Sequence, residues 1–182
     1  DGYIAPKNQN KHFWMTSSES KKLVHKWRDE EDAILVGRIT AEKDNPSLTV
    51  REIAGSNPVR IVIDKNLKLS GDLNLFNSEA KTIIFNAIKS EETRTNQFIK
   101  INFNNLIKSI LEKLYQQNIQ SVIIEGGSKT LQSFIDTNMW DEARIFTTNK
   151  TLAKGVKSPT IEGEIISEDK IGEDELEILC NE

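Results

Sequence analysis

Cysteine is almost absent: the 182 residues hold one, Cys180. A lone thiol can neither close an internal disulfide nor build a cysteine-based zinc site, and a reducing compartment is its natural setting. The two histidines, His12 and His25, lack the spacing and acidic companions of a metal centre, so no metal is expected. Basic residues hold no excess either. Lys and Arg number 24 against 28 Asp and Glu, for a net charge of −4 and a pI of about 5.4. That balance sets aside a general nucleic-acid binder, although a local basic cluster could still hold an anionic small molecule. No window approaches the roughly 18 apolar residues of a spanning helix, and the amino terminus lacks the basic-then-apolar layout of a signal peptide. The expected location is the cytoplasm, with no membrane partner. Internal repeats, low-complexity tracts, a Walker sequence and a nucleophile elbow are missing as well. The chain opens at Asp1-Gly2-Tyr3-Ile4-Ala5 without an initiator Met, and reads as part of a longer polypeptide.

What is present suits one layered domain. A hydrophobic share of 37% with 29% charged residues, over this length, allows one sizeable core. Short β-branched runs at 33–37, 59–64, 82–85 and 121–125 are near-continuously apolar, the pattern of strands covered on both faces. Residues 98–101 and 143–146 are weaker candidates, and 175–179 alternates as a half-buried antiparallel strand does. Thr16-Ser17-Ser18-Glu19 reads as a capping box with Thr16 as the cap, and Leu23, Val24 and Trp27 follow at helical spacing. A second helix carries Leu106, Ile107, Ile110, Leu111, Leu114 and Tyr115 on one face. A third begins at Gly127-Ser128 and turns Leu131, Phe134 and Ile135 inward. The polar stretch 89–96 is expected to be an exposed connection. Interleaved strands and helices predict an α/β architecture.

The sharpest motif is Val122-Ile123-Ile124-Glu125-Gly126-Gly127-Ser128, a buried strand, a glycine pair and a helix start. Such a turn lets backbone N–H groups approach a phosphate at the positive end of the helix. It equally reads as an ordinary tight strand-to-helix connection, and it is not the GxGxxG dinucleotide fingerprint. Glu125 is the carboxylate placed beside it. Residues 40–51 read as a loop, with a turn at Asp44-Asn45-Pro46 and Arg51 at its base. Arg28 closes the first helix, where it meets the negative pole. Two such arginines could clamp a phosphate in bidentate fashion, or each could be a solvated surface residue. Trp14 could stack on a ring or pack against the helix that follows.

In this order, the segments resemble the reductase domain of the bacterial bifunctional riboflavin-biosynthesis deaminase/reductase. The matching residues are Asp1-Gly2-Tyr3-Ile4-Ala5, Trp14-Met15-Thr16-Ser17, His25-Lys26-Trp27-Arg28 and Asp32-Ala33-Ile34-Leu35-Val36-Gly37, then Thr40. They continue through Asp44-Asn45-Pro46-Ser47-Leu48-Thr49-Val50-Arg51, residues 57–64, Ile124-Glu125-Gly126-Gly127 and Asp141-Glu142. The resemblance covers nearly the whole of 1–182. It implies a dihydrofolate-reductase-like fold, a central mixed sheet flanked by helices, and an NADPH-dependent oxidoreductase. The implied reaction reduces 5-amino-6-(5-phosphoribosylamino)uracil to 5-amino-6-(5-phosphoribitylamino)uracil, with hydride going to C1′ of the opened ribose. Trp14, Thr40, Asp44, Lys65, Gly127, Ser128, Lys129, Thr130, Leu131, Gln132 and Ser133 fall where that family holds NADPH. His12, Arg28, Leu48, Arg51 and Glu125 fall where it holds the phosphorylated substrate, and Glu125 is the expected catalytic group. The resemblance also implies a multifunctional parent, a homodimer, and a first strand and zinc deaminase domain that precede Asp1.

Two other readings remain at this point. Dihydrofolate reductase shares the implied fold, and Glu19, five residues after Trp14, stands at the spacing of its pterin-binding acid. A non-catalytic nucleotide-binding module would need the same cradle and no chemistry.

Overall fold

The near-continuously apolar runs pair in parallel and are covered on both faces. The computed structural model describes residues 1–7 and 15–181. In chain order its elements are β1 (Tyr3–Pro6), α1 (Ser18–Glu30), β2 (Ala33–Gly37), α2 (Arg38–Asp44), β3 (Val59–Ile63), β4 (Thr82–Asn86), β5 (Glu91–Glu92) and β6 (Asn96–Lys100). They continue with α3 (Leu106–Gln116), β7 (Val122–Ile124), α4 (Ser128–Asp136), β8 (Glu142–Thr147), β9 (Gly155–Lys157), β10 (Glu164–Ile171) and β11 (Asp174–Cys180). The main sheet runs β5-β6-β4-β3-β2-β7, parallel throughout except for β5. A second sheet, β10-β11-β8, is antiparallel, and β1 pairs with β9.

Side chains along a strand point alternately to opposite faces, which splits the core in two. Ala33, Leu35, Ile61, Ile83 and Phe85 face one side, where Ile107, Ile110 and Leu114 of α3 and Phe134 of α4 cover them. Ile34, Val36, Val62 and Ile84 face the other side, under Ala41 of α2, Leu48 and Leu75. Fully burying a residue such as Ile110 contributes about 1.5–3 kcal/mol. Tyr115 departs from the expected inward face and is 82% exposed. It follows Leu114 by one residue, so it lies about a quarter turn round the helix from the Ile107, Ile110 and Leu114 stripe.

Residues 40–44, expected as part of a loop, belong to α2. The helix is too short to display a period, and its signals are local: Ala41 is buried and Asn45 ends it at φ 40. A left-handed Asn just past a helix, followed by Pro46, is a normal stop. Three strands had no clear sequence signal: β1, β9 and the largely exposed β10. Within the expected connection 89–96, Glu91–Glu92 adds a two-residue strand to the sheet edge.

The start of α1 differs by one residue from the capping-box reading. Ser17 is the cap, its Oγ accepting from the Ser20 N–H, while Glu19 accepts from the Ser18 hydroxyl at 2.9 Å and does not reach back to Thr16. The reason is tertiary. Asp174, just after the β10–β11 turn, accepts from the Ser17 N–H at 2.7 Å and the Ser20 hydroxyl at 2.6 Å. Burial opposes its ionisation, but these hydrogen bonds outweigh it and hold its pKa below the ordinary carboxylate value. The second sheet is thereby fastened to α1, whose Trp27 ring also lies 5.6 Å from that of Phe146 on β8.

Candidate active site

Strands β2, β3, β4, β6 and β7 end along one edge of the sheet. From β2 the chain steps to β3 and β4 on one side, whereas β7 lies on the other. After β2 it enters α2, against one core, and after β7 it enters α4, against the other. The connections diverge at the carboxyl ends of β2 and β7, the place where open α/β sheets usually form a ligand crevice.

Glycines line this crevice. A Cβ on Gly126 would fall on the Val36 backbone and 2.7 Å from the Gly37 nitrogen, so the turn closes against β2 only with glycine there. Gly127 has φ +67, and a Cβ on it would sit 2.7 Å from Thr40 Oγ1. A Cβ on Gly37 would meet Thr130 Oγ1. From sequence the glycine pair is open to two readings, ligand approach or an ordinary tight turn, and the packing supports the second in part: some of the space the pair saves is filled by β2 and by Thr40. Helix α4 starts at Gly127 without a side-chain cap. The Thr130 and Leu131 N–H groups bond back to the Gly127 carbonyl at 3.0 and 3.1 Å. The start of α4, at Ser128 and Lys129, thus carries the positive end of the helix dipole with no side chain capping it.

Beside the glycines stands an ion pair that sequence reasoning missed. Arg28 donates from Nε to Glu125 Oε1 at 2.8 Å and from Nη2 to Glu125 Oε2 at 2.7 Å, a side-on fork. Its Nη1 donates to the Thr49 carbonyl at 3.3 Å. Arg51 Nη1 in turn donates to Thr49 Oγ1 at 3.0 Å. This string of contacts brings Arg51, Arg28, Glu125 and the glycine pair to one end of the sheet. It does not leave two equivalent arginines for a phosphate: Arg28 is buried and occupied by Glu125, whereas Arg51 is exposed. Partners 97 residues apart on two elements leave no local signal.

The segment that carries Arg51 belongs to no sheet, and side chains hold its backbone. Leu48 has φ +51 with its side chain buried at 2% exposure, so it can meet a ligand through its backbone and not through its isobutyl group. The Val50 N–H donates to Asn57 Oδ1 at 2.8 Å, and the Arg51 N–H donates to His25 Nδ1 at 3.0 Å. Burial, followed by the charges of Arg28 and Arg51, lowers the His25 pKa to about 4, so the ring is neutral and accepts through Nδ1. Arg60, fully buried on β3, was also missed. Its guanidinium donates to Thr82 Oγ1, to Asn77 Oδ1, and to the carbonyls of Asn74, Asn77 and Ala80. Burial lowers its pKa, and a set of neutral acceptors holds it in place.

The other expected residues lie on α2, on α4 and after β3. Thr40 and Thr130 touch the glycines, and Ser128 and Lys129 form the first turn of α4. Leu131 is half-buried, Gln132 bonds the Thr160 backbone, and the Ser133 hydroxyl donates to the Lys129 carbonyl at 2.8 Å. Asp44 closes α2. Lys65 follows β3, its Nζ 5.5 Å from the Phe103 ring centroid. His12 and Trp14 lie outside the described residues. Among the described residues no helix is long and apolar enough to cross a membrane.

A mainly parallel sheet with glycine turns, two helix starts and a partly buried ion pair at the point where its connections diverge is an α/β architecture with the dihydrofolate-reductase-like fold. Residues 1–177 match the family described as RibD C-terminal domain, and the chain belongs to that family. The riboflavin biosynthesis protein RibD of Aquifex aeolicus is 36% identical over 79% of this chain and 42% of its own length. A second protein of that organism, named 2,5-diamino-6-ribosylamino-4(3H)-pyrimidinone 5′-phosphate reductase, is 30% identical over 82% of this chain and 70% of its own. Among solved structures, a deaminase/5-amino-6-(5-phosphoribosylamino)uracil reductase from Thermotoga maritima superposes with a TM-score of 0.86 at 29% identity, over 99% of this chain and 53% of that one. A dihydrofolate reductase from Enterococcus faecalis, at 13% identity and a TM-score of 0.56, shares the fold. The chain spans about half the length of the RibD proteins it matches.

Proposed function

We propose that this chain reduces 5-amino-6-(5-phosphoribosylamino)uracil to its ribitylamino product, with NADPH as reductant, in riboflavin biosynthesis. The observation that carries the reading is the contact string from exposed Arg51 through Thr49 and Arg28 to Glu125 and the Gly126-Gly127 turn, in a member of the RibD C-terminal domain family. In the reaction C1′ of the opened ribose gains a hydride and the attached nitrogen gains a proton. A net-acidic protein that takes two phosphorylated ligands needs focused positive groups, and the crevice supplies them.

Three features support a dinucleotide as the cofactor. The uncapped start of α4 and the hydroxyls of Thr40 and Thr130 suit a pyrophosphate, and the exposed Lys65 suits a 2′-phosphate. When bound, NADPH supplies the hydride. Arg51 binds the sugar phosphate. Arg28 fixes the Glu125 carboxylate, which lies half-buried at the turn and orients the ribityl hydroxyls or holds a proton near the reacting carbon. Further parts of the proposal are a cytoplasmic bacterial multifunctional protein, a homodimer and a first strand that precedes Asp1. What supports the strand is that β7 closes one sheet and β8 the other, while α1 reaches both through Arg28 to Glu125 and Trp27 to Phe146.

NADPH oxidation by the protein as its gene encodes it, with each of three substrates, tests the reading. The uracil 5′-phosphate should be consumed with NADPH one for one. The diamino-pyrimidinone 5′-phosphate, favoured by the name of the Aquifex relative, differs in one exocyclic group, and faster turnover of it would move the step ahead of deamination. Brisk turnover of dihydrofolate, or NADPH binding with no oxidation of any substrate, would overturn the proposal.

A further inference from the structure

Position 51 lies on a segment with no strand partner, so something other than a sheet must fix it. Four contacts do so. Arg28 reaches the Thr49 carbonyl, Asn57 the Val50 N–H, Arg51 its own neighbour Thr49 Oγ1, and His25 the Arg51 N–H at 3.0 Å. His25 is the contact nearest the Arg51 Cα, and it comes from the helix that also carries Arg28. The two residues are three apart on α1, hence neighbours on one face, and both are buried. An imidazole 1% exposed with an N–H seated on its Nδ1 is a rigid support, because burial removes alternative rotamers and water. Arg51, by contrast, is exposed, and its own side chain adds only the local bond to Thr49 Oγ1, two residues back on the same segment.

We propose that His25 is a positioning residue for substrate-phosphate affinity: it holds the backbone of Arg51 so that the guanidinium stays over the crevice. The inference deepens the functional reading above and rests on Arg51 as the phosphate cation. Arg28 fixes the carboxylate side of the site and His25 the cationic side, so one face of α1 sets the spacing between them.

The test compares His25→Leu, which removes the acceptor, with His25→Asn, whose Oδ1 can stand near the place of Nδ1. KM for the phosphorylated substrate should rise about tenfold in His25→Leu, the size of one lost buried hydrogen bond, with kcat held. His25→Asn should restore most of the affinity. Hydrogen exchange at the Arg51 amide should quicken in His25→Leu and return in His25→Asn. KM for the substrate without its 5′-phosphate should not move, which separates phosphate positioning from general loosening. If His25→Leu does not fold, His25→Gln, with its acceptor one bond further out, is measured in its place and should show the same direction. A folded variant with parental KM, or an equal rise for both substrates, overturns the inference. If Arg51→Ala itself leaves KM unchanged, the reading of Arg51 fails first; if only Arg51→Ala raises it, the failure belongs to His25 alone.

Discussion

Arg28 on α1 and Glu125 at the end of β7 meet as a side-on fork, with side-chain exposures of 9% and 24%. Removing one member strands the other in a poorly solvated place, which costs about 3–5 kcal/mol where burial is complete and less at this partial exposure. Glu125→Ala should therefore lower unfolding free energy by about 2 kcal/mol or more in a urea titration, and Arg28→Met with Glu125→Leu should recover much of it. Glu125→Gln keeps the shape and loses the charge. It should reduce kcat/KM, and an unchanged value would remove the carboxylate from the reaction.

Arg51 carries the phosphate in this account, and Arg28 does not. Arg51→Ala should raise KM for the phosphorylated substrate about tenfold or more and change kcat little, the signature of lost uniform binding. Steady-state kinetics with and without the 5′-phosphate measure it. A parental KM would contradict the assignment.

The two glycines should fail differently. Gly126→Ala drives a methyl into the backbone of β2, which cannot step aside, and should destabilise the fold by about 1–3 kcal/mol, read as a lower Tm. Gly127→Ala meets the Thr40 hydroxyl and a φ of +67, a strain of about 1–2 kcal/mol, at the start of α4. It should weaken NADPH binding in a fluorescence titration more than it lowers Tm.

Acid should weaken the protein in two steps. His25 has a folded pKa of about 4 against 6.5 for the free side chain. The unfolded chain therefore takes up its proton first, and the stability from the neutral ring, about 3 kcal/mol, is full above pH 6.5 and lost as pH falls toward 4. Asp174, whose pKa is lowered, stabilises above its ordinary value of 3.8 and loses that contribution at still lower pH. Chemical unfolding across pH should show both losses. His25→Asn should flatten the first and leave the second, and equal slopes in variant and parent would contradict the assignment.

Much of the main sheet could be read from the sequence because its strands are buried on both faces, so apolarity is continuous in 33–37, 59–63 and 82–86. Strand β10 could not, since its residues are mostly exposed and alternate weakly. The Ser17 cap was hidden for another reason: Asp174, 157 residues away, decides which hydroxyl caps the helix. The glycine turn stood out locally, and Arg51 stood out by resemblance. The Arg28 to Glu125 fork, the His25 support and the buried Arg60 depend on contacts between distant elements, which no spacing encodes.

Stoichiometric oxidation of NADPH on adding 5-amino-6-(5-phosphoribosylamino)uracil, followed in the parent protein and in Arg51→Ala, tests the crevice most directly. The account predicts one NADPH consumed per ribitylamino product, with half-saturation in Arg51→Ala shifted to much higher substrate. No consumption by the parent, or the same half-saturation in both, would contradict it.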